Sequence, residues 1–218
     1  MKKEIRYALG EILIVIVGIT IAFSMNKCAD NKKDEALKKQ YLENIKSDIE
    51  IDKNNLESIS QSIGTKIDVL REVLPLINTD NPEKRSKMNK IYSVFTSTDF
   101  FPKDVTYQTM INSGDFKLID DFDLKAAIET HYSNYQIMLK DYERLDIIHK
   151  EYLGKYMIEN ADFDAMRQGQ FGYSNEKLFK NILQSVNGAL MIKKTATDRG
   201  IKSCDSILKV VENFNKPK

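Results

Sequence analysis

The chain has 218 residues, 30% of them charged, yet 33 basic side chains stand against 32 acidic ones and the formal charge is +1. That balance removes the electrostatic footprint of a nucleic-acid-binding protein, so a DNA or RNA partner is not expected. Trp is absent, Gly (9) and Pro (4) are sparse, and Lys, Glu, Leu and Ala are plentiful, which favours an all-α fold: one helical domain with an N-terminal appendage.

Residues 1–6 form a short basic tail with Lys2, Lys3 and Arg6, and residues 7–26 follow as a candidate transmembrane helix. From Ile12 to Met25 no residue is charged, and Glu11 is the sole charged group back to Tyr7. Nineteen helical residues extend ~28 Å, close to the ~30 Å of a bilayer core. Ile12 through Val17 are apolar all round, unlike a core helix with a polar face. The competing readings are a cleaved secretory signal, with Ala22-Phe23-Ser24 as its cleavage site, and a soluble helix. Against cleavage, the apolar run continues through that site and Glu4 and Glu11 dilute the basic start. Gly10, Gly18 and Ala22 share one face and, with Glu11, are the candidates for packing between spans. Lysines flank the segment on both sides, so orientation is left open.

Residues 27–74 read as a juxtamembrane and rod helix. Leu37, Tyr41, Ile45, Ile49, Leu56, Ile59, Ile63, Ile67, Leu70 and Leu74 recur at threes and fours, with one gap of seven that skips Asp52. No Gly or Pro stands between Gly18 and Gly64, so span and rod can be one helix, while Asn26, Asp30 and Asn31 allow a break. The remainder, 75–218, is expected to pack on the rod as an antiparallel helical bundle with long helices. After Pro75 a second helix is expected from Pro82 to about Thr98, then a short one opened by Asp104 and closed by Ser113-Gly114 as a structural cap. Asp121 or Asp123 caps a long helix carrying its stripe to Tyr152, and Ser174-Asn175 starts a last one to Phe214, with possible breaks at Gly188 or Gly200.

Two stretches carry a resemblance. "YALGEILIVIVGITIAFSMN", Tyr7–Asn26, resembles the opening of a family of uncharacterised bacterial single-pass membrane proteins, catalogued as a domain of unknown function, in which Gly-Glu-Ile precedes an aliphatic run. "TYQTMINSGDFKLI", Thr106–Ile119, is similar to that family's central Tyr-x-x-Leu-x-x-Ser-Gly-x-x-x-x-Ile element, with Tyr107, Met110, Ser113, Gly114 and Ile119 at the matching positions. The sequence departs where the family has Asn-Trp after the span: Lys27 and Cys28 stand here. The resemblance implies a retained span and a helical domain, and it implies no activity; the expected location is a bacterial inner membrane, single-pass, with the side of the C-terminal domain left open.

Catalytic and metal chemistry find little support. His131 and His149 are eighteen residues apart, ~27 Å along a helix, too far for one metal. Asp146 and His149 have the spacing of a di-iron ligand pair, but no second pair exists. Asp115, Asp120, Asp121 and Asp123 lack the spacing of a calcium loop and read as caps and solvated connector. Cys28 and Cys204, far apart in sequence, lack zinc spacing and are either one disulfide or two inert thiols. No cofactor is expected, and no enzyme activity. The expected function is a membrane-anchored interaction or scaffold protein that self-associates or joins a membrane complex. The alternative is a helical sensor or ligand-binding domain working with a partner subunit, which predicts a pocket between helices lined by Tyr and an acid or His.

Overall fold

The computed structural model describes residues 2–214, with side chains at residue 10 and from residue 13 onward. Its first helix, α1 (Lys2–Val73), runs unbroken for 72 residues, ~108 Å of rod. Asn26, Asp30 and Asn31 therefore lie inside a helix and do not break or cap it. Each costs only a few tenths of a kcal/mol in propensity, and without Gly or Pro nothing removes a backbone hydrogen bond.

The Leu74 N–H still bonds to Leu70 O, and the chain then turns through Pro75 to Asn81. The second helix is shorter than the periodicity suggests: α2 spans only Lys84–Met88, and residues Asn89–Phe95 tighten into a 3-10 helix. Asn81 Oδ1 accepts from Glu83 N–H at 2.8 Å just ahead of α2, but the apolar residues of α2 are too few to hold a longer helix against the rod. The following extended segment leads to α3 (Val105–Ser113), where Gly114 takes the left-handed conformation, φ 75°, and its N–H bonds to Ile111 O. The carboxylate of Asp104 makes no capping bond to α3 and accepts instead from Gln108 Nε2 at 3.3 Å.

A 3-10 turn, Asp115–Leu118, leads to α4 (Phe122–Ile147), capped by Asp121 Oδ1, which accepts from Leu124 N–H at 2.8 Å. The long helix expected to reach Tyr152 changes character instead. Residues Ile148–Leu153 form a π-helical turn, followed by α5 (Gly154–Asn160) and the five-residue α6 (Phe163–Arg167). Gly154 N–H reaches back to His149 O, and a Cβ at Gly154 would lie 3.3 Å from that oxygen, so glycine suits the closure of this wide turn. The last helix, α7 (Glu176–Phe214), passes Gly188 and Gly200 without interruption. At Gly200 the missing side chain is used: a Cβ there would meet Met138 Sδ at 2.7 Å and Leu56 Cδ1 at 3.2 Å, so α1, α4 and α7 converge on this point.

Among the described residues 84% are helical and none is in a strand, so the fold is an all-α bundle built on α1, α4 and α7. The antiparallel register of α1 and α7 is written in polar pairs: Lys46 with Glu212 at 3.1 Å, Lys53 with Asp205 at 2.7 Å, and Ser60 with Asp198 at 2.6 Å. Each step advances seven residues on α1 and retreats seven on α7, the spacing that keeps one seam facing another. The core has two parts. One, nearer the apolar end of α1, gathers Leu42, Ile45, Ile49 and Leu56 with Met110, Ile128, Tyr135 and Ile207. The other gathers Ile63, Leu70 and Val73 with Ile91, Leu145, Phe179, Leu183 and Leu190. Each fully buried aliphatic side chain contributes ~1.5–3 kcal/mol, which is what commits a helix this long to one face.

Candidate functional site

Asp52 explains the gap in the α1 stripe. It occupies the stripe itself, fully buried, with both carboxylate oxygens 3.0 Å from the Lys103 backbone N–H. Burial pushes its pKa up to about 6. Beside it Tyr135 is buried with its hydroxyl 3.2 Å from Cys204 Sγ, and burial pushes the Cys204 thiol up to about 11. His131, 2% exposed, sets Nδ1 3.0 Å from Ser203 Oγ and packs edge-on against Tyr135 at 4.4 Å. Burial pulls its pKa down to about 4, so at neutral pH it is an uncharged packing group.

Between the two halves of the core lies a second polar layer. Lys193 is fully buried, with Nζ 4.1 Å from the Tyr142 ring centre and 3.9 Å from Asp99 Oδ1, and with no hydrogen-bond partner among the described residues. Lys66, 4% exposed, donates to Thr96 O. Burial lowers both lysine pKa values, and the charge of Lys193 lowers that of Lys66 further. Tyr142 closes the layer through a 2.6 Å bond with Thr197 Oγ1. His149 stands in the π turn, its pKa lowered by burial and then by Lys66. This layer was not legible as such in the sequence, although Lys193 falls on the α7 stripe between Leu190 and Ala196.

His131 and His149 thus belong to different clusters, and Asp146 is exposed. Among the described residues no three His, Cys, Asp or Glu side chains come together as a metal site. The acidic connector is spent internally: Asp115 accepts from Tyr41 at 2.9 Å and from Ser113 at 2.8 Å, Asp121 caps α4, and Asp120 lies 3.8 Å from Lys38 Nζ. The disulfide alternative is excluded, because Cys28 is exposed, Cys204 is buried and both are free.

The element beginning at Tyr107 has a clear spatial role. Tyr107 stacks on Tyr132 at 4.3 Å and 10°, Met110 and Ile119 are fully buried, and Ser113-Gly114 ends α3. Tyr107, Tyr132 and Tyr135 line a surface pocket of about 190 Å³ between α3 and α4. Of the span-packing candidates, Gly10 and Gly18 have nothing within 4 Å of a built Cβ and Ala22 is exposed, while the Glu11 side chain lies outside the described residues.

A family of unknown function, DUF6090, matches residues 11–165. The chain belongs to the DUF6090 family. The DUF6090 match runs from α1 into α6 and leaves α7 outside it. Both polar clusters therefore join family-matched residues, Asp52 and Lys66 among them, to α7 residues such as Lys193 and Cys204. No curated protein and no solved structure matches the chain.

Proposed function

We propose that this DUF6090 protein is a membrane-anchored interaction protein, in which the N-terminal part of α1 crosses a bacterial inner membrane and the bundle presents its surfaces to a second copy or another membrane protein. The observation that carries this reading is the contrast within α1. Its most apolar window is not buried at all, with Leu13 61%, Ile14 74% and Phe23 69% exposed, and the same helix then runs unbroken into the bundle core. Exposed aliphatic surface on that scale is costly in water and favourable in lipid. A continuous helix also lets a tilt or rotation in the bilayer reach the bundle, as a flexible linker would not. The open Gly10, Gly18 and Ala22 face permits close approach of a second helix.

The role we propose is interaction, carried by this exposed apolar stretch of α1 and the bundle it leads into. Mild crosslinking in intact membranes followed by purification in detergent tests it. A stoichiometric second copy or partner is the expected result, and full-length protein recovered without detergent in the soluble fraction overturns the anchor. A second reading, ligand sensing through a partner subunit, is favoured by the tyrosine-lined pocket beside Asp104 and Glu129.

A further inference from the structure

A pocket of about 360 Å³ lies at the Val73 end of the bundle, between α2 with its 3-10 extension and the segment from α6 to Tyr173. Its frame is tied down without help from an occupant. Gln170 N–H donates to Ala165 O and Asp162 N–H to Gly172 O, both at 2.8 Å, and Tyr173 stacks on the core ring of Phe179 at 4.6 Å. Tyr92, Phe163, Phe171 and Tyr173 give the pocket aromatic walls, and the charged side chains lining it are two arginines, Arg85 and Arg167, with no carboxylate. Gly169, with φ 76° and no side chain, seats the first of them: a Cβ there would collide with Arg85 Nη2. Among the described residues Arg85 has no ion pair and no hydrogen bond. The nearby acids are committed elsewhere, Asp164 to Arg167 and Asp162 to the Ala165 N–H at the start of α6. The exposed Tyr92 hydroxyl donates only to Met166 Sδ at 3.0 Å, a weak acceptor that an anionic oxygen readily replaces.

We infer that this pocket binds a small aromatic carboxylate, with the carboxylate on the Arg85 fork and the Tyr92 hydroxyl and the ring against the aromatic walls. A planar guanidinium matches a carboxylate through two parallel N–H bonds, and a bound ring gains from edge-on or offset contact with the wall rings. Competing chemistries use less of the site. A cation would face two guanidinium groups, inorganic phosphate would leave the rings unused, and an uncharged arene would leave Arg85 unmatched. A benzene-sized molecule fills a cavity of about 150 Å³, so about 360 Å³ holds one ring on a short arm. The site stands apart from the bilayer anchor and from the α3–α4 pocket, so it holds or fails independently of both.

The test is a titration of the full chain in a nonionic detergent, read by NMR of isotope-labelled methionine methyls, with phenylacetate, its uncharged counterpart phenylacetamide, and inorganic phosphate. Met88 and Met166 line the pocket, while Met138 lies in the other half of the core and serves as the control. Phenylacetate should shift Met88 and Met166 saturably in the millimolar range and leave Met138 in place. Phenylacetamide and phosphate should each bind at least about tenfold more weakly. Arg85→Gln should weaken phenylacetate several-fold with the Met138 signal and the helical circular dichroism unchanged. Arg85→Lys keeps the charge but not the fork, and should recover only part of that loss. No saturable shift at Met166, phenylacetamide or phosphate binding as well as phenylacetate, or unchanged affinity in Arg85→Gln would overturn the inference. The first two readouts use the unaltered chain, so a variant that fails to fold does not protect the idea.

Discussion

Asp52 and His131 sit within one core and act on pH stability with opposite signs. The Asp52 pKa is raised in the folded state, from an ordinary 3.8 to about 6, so the unfolded chain loses its proton first. Its favourable contribution is complete below about pH 4 and is lost as pH rises through 6, on the order of 3 kcal/mol in all. His131 is lowered, from 6.5 to about 4, so the unfolded chain binds its proton first and stability is lost as pH falls from 6.5 toward 4. Asp52→Asn, which keeps an acceptor for Lys103 N–H, should therefore match wild type near pH 4 and gain on it steadily up to pH 7. His131→Gln should do the reverse, with its relative stability greatest at pH 4. Urea denaturation at a series of pH values reads both, and parallel curves for wild type and Asp52→Asn would refute the buried-carboxylate account. Lys193→Met is a second test at this scale. It replaces a buried amine lacking a hydrogen-bond partner among the described residues by an apolar chain of similar length. The change should be neutral or raise stability by about 1 kcal/mol at pH 7.

Helices in this protein end or continue for reasons that differ in how local they are. Gly114 stops α3 because its left-handed φ of 75° suits glycine, a preference readable from Ser-Gly in sequence. Gly188 and Gly200 look alike in sequence and behave differently in space. Gly188 is exposed with nothing within 4 Å, whereas Gly200 lies where α1 and α4 press on α7. Gly188→Ala should stabilise by roughly 0.5–1 kcal/mol through helix propensity alone. Gly200→Val should destabilise by about 1–3 kcal/mol, since Met138 and Leu56 would have to give way. Thermal unfolding followed by circular dichroism distinguishes the two, and equal shifts would remove the packing argument. The π turn at Ile148–Leu153 has the same lesson: an unbroken apolar stripe promises α-helix, but the backbone registers shift where His149 meets the polar layer.

For the molecule as a whole, the seven-residue ladder from Lys46–Glu212 to Ser60–Asp198 locks α7 antiparallel along the rod. The apolar N-terminal part of α1 is left uncovered by it. Membrane flotation of the full-length chain should therefore require detergent for release, and salt or carbonate washing should not extract it. Thiol labelling should also discriminate sharply. Exposed Cys28 should react with an impermeant maleimide in detergent, and Cys204, buried with its pKa raised to about 11, should react only after denaturation. Cys204 labelling in the folded protein would contradict the core described for α4 and α7. Topology in cells is thus to be read at Cys28 or an introduced surface cysteine.

The all-α class, the apolar segment, the rod and its inward stripe, the cap at Gly114 and a cap at Asp121 or Asp123 were determined by the sequence itself. Each follows from periodicity or from a backbone preference acting within a few residues. What only the tertiary structure decided was the fate of polar residues standing on apolar stripes. Asp52 appeared as a gap and proved to be a buried acid, because the Lys103 amide arriving from a distant segment satisfies it. Lys193 is buried because the Tyr142 ring and Asp99 close over it. The tyrosine pocket exists only because α3 folds back on α4 and stacks Tyr107 on Tyr132. Contacts between residues far apart in the chain leave no periodic trace, so their chemistry emerges when the helices pack and not before.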